Sequence, residues 1–150
     1  LARRPVPCYN GGGGALRLRS ASTKEITLGT ILVVDDERAV CHLLRNVLTD
    51  RQHSVDVAEA ALDALVKLRA HSYDLAIVDL FLPGIDGLQL AEAIHVLDPA
   101  TPVMLMTAYG TPSFEAMAAH PAINHYLHKP FSIDHLLALV DRCLLPAGPT

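Results

Sequence analysis

Residues 75–78, Leu-Ala-Ile-Val, form an unbroken apolar run that stops on a carboxylate, Asp79, and then passes through Pro83-Gly84 toward Gly87. Such a run, closed by a turn, suits a strand buried on both faces, the usual condition of a strand in a parallel sheet. In open α/β sheets, ligands and chemistry collect at the carboxyl edge of the strands. Asp79 is therefore the candidate reactive group. The plainer alternative is that it only caps a turn.

The rest of the chain supplies the partners that such a strand requires. Residues 30–34, TILVV, read as a second buried strand, and it too ends on acids, Asp35, Asp36 and Glu37. Val40, Leu43, Leu44, Val47 and Leu48 follow at helical spacing up to about Asp50. A short strand is expected over 53–58, with Val55 and Val57 on one face. A second helix carries Ala61, Leu62, Leu65 and Leu68, and a third carries Leu88, Leu90, Ala91, Ile94 and Leu97, closed by Asp98-Pro99. Residues 102–106 form a fourth strand ending at Thr107.

A short fourth helix is expected next, with Thr111 as its cap, Pro112 in its first turn, Phe114, Met117 and Ala118 within it, and Pro121 to stop it. Residues 124–128 are a fifth, weaker strand leading into Lys129-Pro130-Phe131. Ser132 caps a last amphipathic helix through Leu136, Leu137, Leu139, Val140 and Leu144. Five strands alternating with five helices imply parallel crossovers and a three-layer α/β sandwich.

Composition limits the remainder. A chain of 150 residues fits one domain with a core and some spare tail. Its net charge of −4 gives no reason to expect a nucleic-acid binder. Cys8, Cys41 and Cys143 lie far apart with no CxxC pair, so neither a disulfide nor a zinc framework is indicated and a reducing, cytoplasmic setting is expected. No apolar run approaches the roughly 18 residues of a membrane span. Residues 1–29, with Gly11 to Gly14 in a row, read as a flexible linker or tail, with an organelle transit peptide as the lesser alternative. The domain is expected over 30–145, and 146–150 as a short tail.

Four of the five strands thus end in Asp35-Asp36, Asp79, Thr107 and Lys129, which parallel strands bring to one edge. Taken singly, each has an ordinary structural reading as a cap, a β-branched core residue or a solvated charge; together they define a site. Clustered carboxylates repel unless a cation is present, and oxygen-only ligands in a partly open site suit Mg²⁺. A lysine ammonium and a threonine hydroxyl beside them can hold the oxygens of a phosphoryl group, which leaves one carboxylate as nucleophile.

VVDDE at 33–37, VDLFLPGIDG at 78–87, MTAYG at 106–110 and LHKPF at 127–131 together resemble the receiver domain of two-component response regulators. The resemblance implies a flavodoxin-like, doubly wound fold with five parallel strands in the order 2-1-3-4-5. It implies Asp79 as phosphoacceptor and Asp36 as a direct Mg²⁺ ligand. Asp35 would act through a bound water, with the main-chain carbonyl of Phe81 as a further ligand. Thr107 and Lys129 would grip the phosphoryl oxygens, the Lys129-Pro130 bond would be cis, and Tyr126 would be the switching aromatic.

The phosphoryl donor so implied is a histidine kinase or a phosphotransfer protein. The output would be read by an effector or a second copy on the face made by the fourth helix, the fifth strand and the last helix. Neither nucleic acid nor membrane is an expected direct partner, and no enzymatic turnover is expected beyond the domain's own phosphoryl transfer and slow autodephosphorylation.

Two departures from the family pattern stand out. Pro121-Ala122-Ile123 replaces the usual Gly-Ala pair after the fourth helix, and Phe81 and Tyr109 are bulky for positions flanking the phosphoryl group. Obstruction of in-line water there predicts a long-lived phosphorylated form. His120, His125 and His128 do not make a second metal site, because strand alternation points His125 and His128 to opposite faces. The competing classes are a receiver-like interaction module that is not phosphorylated and a Mg²⁺-dependent aspartyl phosphohydrolase. The latter family has a second acid two residues after its nucleophile, where this chain has Phe81.

Overall fold

The computed structural model describes residues 28–108 and 120–144. Its elements in chain order are β1 (Thr30–Val34), α1 (Arg38–Asp50), β2 (Ser54–Ala58), α2 (Ala61–Ala70), β3 (Leu75–Asp79), α3 (Gly87–Leu97), β4 (Val103–Ala108), β5 (His125–Lys129) and α4 (Ile133–Leu144). The strands form one sheet in the order β2-β1-β3-β4-β5, every pair parallel. The reversal of direction between β1 and β3 is the topological switch point at which such sheets open a crevice at their carboxyl edge. The helix expected around Pro112, the linker before Leu28 and the tail after Leu144 lie outside the described residues, so four helices rather than five are described.

Alternation along each central strand divides the core in two. Leu32, Val34, Ala76, Val78, Val103 and Leu105 face α2 and α3 through Ala64, Leu90, Ala91 and Ile94. Ile31, Val33, Leu75, Ile77, Met104, Met106 and Leu127 face α1 and α4 through Leu44, Leu48, Leu136 and Val140. All five residues of β3 are buried, as its unbroken apolar run requires. α4 starts under a Ser132 cap, whose hydroxyl accepts from the His135 amide at 3.0 Å.

The structure departs from the sequence pattern on α2. The spacing of Ala61, Leu62, Leu65 and Leu68 predicts one core-facing stripe, but Ala61 and Ala64 take the core positions and Leu62 is 73% exposed. Two small residues let the helix lie close to the sheet, which turns the larger Leu62 and Val66 outward. Leu97 at the end of α3 is likewise 45% exposed rather than buried.

Candidate functional site

The carboxyl ends of β1, β3, β4 and β5 meet at the switch point. Continuing the alternation of each strand, Asp35, Asp79 and Lys129 share the parity of Val33, Ile77 and Leu127, and so belong to the side of α1 and α4. Thr107 shares the parity of Val103 and Leu105, as Tyr126 does by its packing on that cluster, and both belong to the opposite side. Sheet geometry thus separates an acid-lysine group from a threonine-tyrosine pair only one strand apart, since β4 pairs directly with β5.

The carboxylates of Asp35, Asp36 and Asp79 each offer an oxygen within 4.8 Å of the others. Asp35 is wholly buried, Asp79 nearly so, and Asp36 exposed. Lys129 Nζ bridges the two buried acids, 3.2 Å from Asp35 Oδ2 and 3.2 Å from Asp79 Oδ1, with Glu37 Oε1 at 4.0 Å. Asp35 Oδ1 also accepts the Glu37 amide at 2.9 Å at the start of α1. Burial pushes the carboxyl of Asp35 above its ordinary range, against the lowering effect of the Glu37 amide and of Lys129. Burial raises Asp79 as well, and the charge of Asp35 adds to it. Burial by itself would lower Lys129, but the charges of Asp35 and Asp79 outweigh it and hold the ammonium above its usual value.

One ammonium against two buried carboxylates and a third exposed one leaves the cluster net negative. Three oxygen donors within one cation's reach, one face open to solvent, fit a hard divalent ion that keeps some of its waters. Thr107 is completely buried, and its Oγ1 has no hydrogen-bond partner among the described residues. A buried hydroxyl left without a partner costs about 1–3 kcal/mol. Tyr126 packs its ring against the core on Thr107's side, with its hydroxyl withdrawn from solvent. The Lys129-Pro130 peptide is cis. Phe81 is 59% exposed at the rim, and Tyr109 lies outside the described residues.

Two contributors were not singled out by the sequence reading. A Cβ on Gly87 would fall 2.1 Å from the Asp79 carbonyl oxygen and 2.7 Å from Leu80 Cα, so only glycine lets α3 begin against the end of β3. The Gly87 amide donates to the Leu80 carbonyl at 2.7 Å, and Asp86 with Gln89 closes the helix start as a capping box. Cys41 donates its thiol to the Asp35 carbonyl at 3.2 Å from within α1. Burial holds that thiol at about 11, so it packs and does not react. The Gly that ends IDG was visible as a turn signal; the Cys41 contact had no local signal at all.

A doubly wound sheet with an acid cluster and a bridging lysine at its switch point defines the class, and the comparisons agree with it. The response regulator receiver domain family matches residues 31–141, and the chain belongs to that family. The transcriptional regulatory protein TcrA of Mycobacterium tuberculosis is 34% identical over 119 residues, covering 79% of this chain and 47% of TcrA. ResD of Bacillus subtilis is 34% identical over 120 residues, covering 80% of this chain and 50% of ResD. The chain therefore spans about half the length of these relatives.

Among solved structures, a CheY-like receiver domain protein from Methanospirillum hungatei aligns with a TM-score of 0.74 at 27% identity, over 79% of this chain and 94% of that one. TrrA of Thermotoga maritima, solved in complex with Mg²⁺-BeF, aligns with a TM-score of 0.68 at 34% identity, over 77% of this chain and 98% of that one. The fold has the order 2-1-3-4-5 of this class. Among the described residues no helix is long and apolar enough to cross a membrane.

Proposed function

We propose that this receiver domain is a phosphoryl-accepting signalling switch in the cytoplasm, with Asp79 as the acceptor and a phosphohistidine of a histidine kinase or phosphotransfer protein as the donor. The observation that carries the reading is Lys129 Nζ held 3.2 Å from both Asp35 and Asp79 at an edge where three carboxylates converge. An Asp79 carboxylate oxygen attacks phosphorus in line, the phosphorus–nitrogen bond breaks, and its electron pair returns to the imidazole. Lys129, already beside Asp79, meets the negative charge on the transferred oxygens. Asp36 directly, Asp35 through a water, Asp79 and the Phe81 carbonyl would hold Mg²⁺, which supplies charge neutralisation to those oxygens when bound.

The Thr107 hydroxyl, buried with no partner among the described residues, then gains a phosphoryl oxygen to donate to. Its movement toward Asp79 changes the space available to Tyr126 on the neighbouring strand, and the surface around β5 and α4 carries the change outward. The exposed, bulky Phe81, two residues after Asp79, would obstruct the in-line approach of water and so slow hydrolysis. An effector or a second copy of the chain would read that surface.

Asp79→Asn, which keeps the shape and removes the nucleophile, abolishes labelling by a small phosphodonor in Mg²⁺, and chelation does the same; undiminished labelling of the variant would overturn the assignment. Thr107→Ala still accepts phosphate, but the Tyr126 amide no longer responds to a phosphoryl mimic. An identical response in parent and variant removes the threonine from the mechanism.

A further inference from the structure

Among the described residues, the four most exposed large apolar side chains outside the acid site gather in one place. Leu62 and Val66 on α2 are 73% and 58% exposed, and Val96 and Leu97 on α3 are 80% and 45% exposed. Between the two helices runs a groove of about 490 Å³ with Ala93 among its lining residues and Arg69 at its border. A helix of a single soluble domain turns its polar side outward, and isolated exposed aliphatics need no explanation. Four in contiguity, forming two ridges with a hollow between them, do.

The charges beside the groove identify what fits it. Asp63 and Arg69 each stand three positions from Val66 on α2, on opposite sides of it. Among the described residues the one ion pair of Asp63 is with Lys67 of its own helix, at 3.0 Å, and Arg69 makes none. In a two-fold contact residue i meets j while j meets i. An antiparallel pairing of α2 with α2 of a second copy, its axis at Val66, sets Arg69 of each chain opposite Asp63 of the other, twice over. The same pairing lays each Leu62-Val66 ridge toward the other copy's groove. An acid and a base disposed evenly about an apolar centre complement themselves and would meet an unrelated partner only by coincidence.

We propose that the α2–α3 face is an isologous interface through which two copies of this chain associate, separate from the surface around β5 and α4 assigned to the switch. Apolar burial along Leu62, Val66 and Val96 drives the association, and the two Arg69-Asp63 contacts fix the antiparallel register.

The test is sedimentation of the full 150-residue chain from micromolar to submillimolar concentration, with thermal melts to confirm that every variant is folded. The parent shows a reversible monomer–dimer equilibrium. Val66→Glu raises the dissociation constant by more than about tenfold, equivalent to 1.4 kcal/mol. Arg69→Asp weakens the dimer and Arg69→Asp with Asp63→Arg restores it, while Asp134→Arg on α4 leaves it unchanged. A parent that stays monomeric throughout, as it would if a different protein covers this face, overturns the proposal. So does a dimer indifferent to Val66→Glu, one broken by Asp134→Arg, or one that the charge exchange fails to restore.

Discussion

The two edges of this sheet are built from similar residues to opposite ends. At the amino edge polar groups close on complements within the chain. The Gly29 amide donates to His53 Nδ1 at 3.1 Å, the Thr30 amide to Asp74 Oδ2 at 2.9 Å, and the Val103 amide to Asn124 Oδ1 at 2.9 Å. Thr101 donates its hydroxyl to the Tyr73 carbonyl at 3.1 Å, and Tyr73 donates its own to Asp56 at 2.6 Å. At the carboxyl edge acid stands against acid, one lysine serves two of them, and the Thr107 hydroxyl finds no acceptor among the described residues. The amino edge is closed by bonds within the chain, whereas the carboxyl edge sets three carboxylates against one lysine and keeps a net negative charge.

Substitution at the two edges therefore changes stability in opposite directions. Tyr73 is fully buried, and Tyr73→Ala opens a void and strips Asp56 of its donor, costing about 3–5 kcal/mol in a denaturant melt. Asp79→Asn in chelator removes a buried like charge and leaves the melt unchanged or raises it; the parent, unlike the variant, gains stability on adding Mg²⁺. A large loss for Asp79→Asn would mean that the acid edge is structural after all. Next in size is Gly87→Ala, about 1–3 kcal/mol, because its methyl must displace the backbone that carries Asp79. That variant also labels poorly, and normal labelling at reduced stability would detach α3 from the site.

The smallest effect is a pH slope. Burial lowers the His53 imidazole below its ordinary value of 6.5, so the fold binds that proton less readily than the unfolded chain. Its contribution is complete above about pH 6.5 and drains away as the pH falls through the lower folded-state value. Asp35 and Asp79 run the other way: with folded-state values raised, their contribution is present below the ordinary 3.8 and is lost as the pH rises through the raised values. His53→Gln flattens the acid-side slope near neutrality in melts recorded across that range. An unaltered slope would assign the loss to other groups.

Most of the frame was legible because it is local. A buried parallel strand announces itself as an apolar run, and a carboxylate at its end is a sharp break in that run, so Asp35 and Asp79 could be placed at one edge from the sequence. What was not legible depends on distances between elements. Leu62 and Leu65 look alike on a helical wheel, and only the close seat of Ala61 and Ala64 against the sheet decides which leucine faces water. Gly87 reads as turn punctuation, although its role is set by a carbonyl eight residues earlier. Alternation within β5 already sets Tyr126 and Lys129 on opposite faces, but placing Thr107 on the side of Tyr126 requires the pairing of β4 with β5, which periodicity in a single strand does not carry.

The lysine bridge also has a history along the chain. Lys129 lies 94 residues beyond Asp35, across the sheet from β5 to β1. A nascent chain emerging from its amino end therefore makes both buried acids well before the cation that offsets them, and contacts of such sequence separation form late because loop closure must come first. Until β5 docks, the β1–β3 edge carries its repulsion unrelieved by this lysine, so the final strand completes the sheet and its charge balance in a single event.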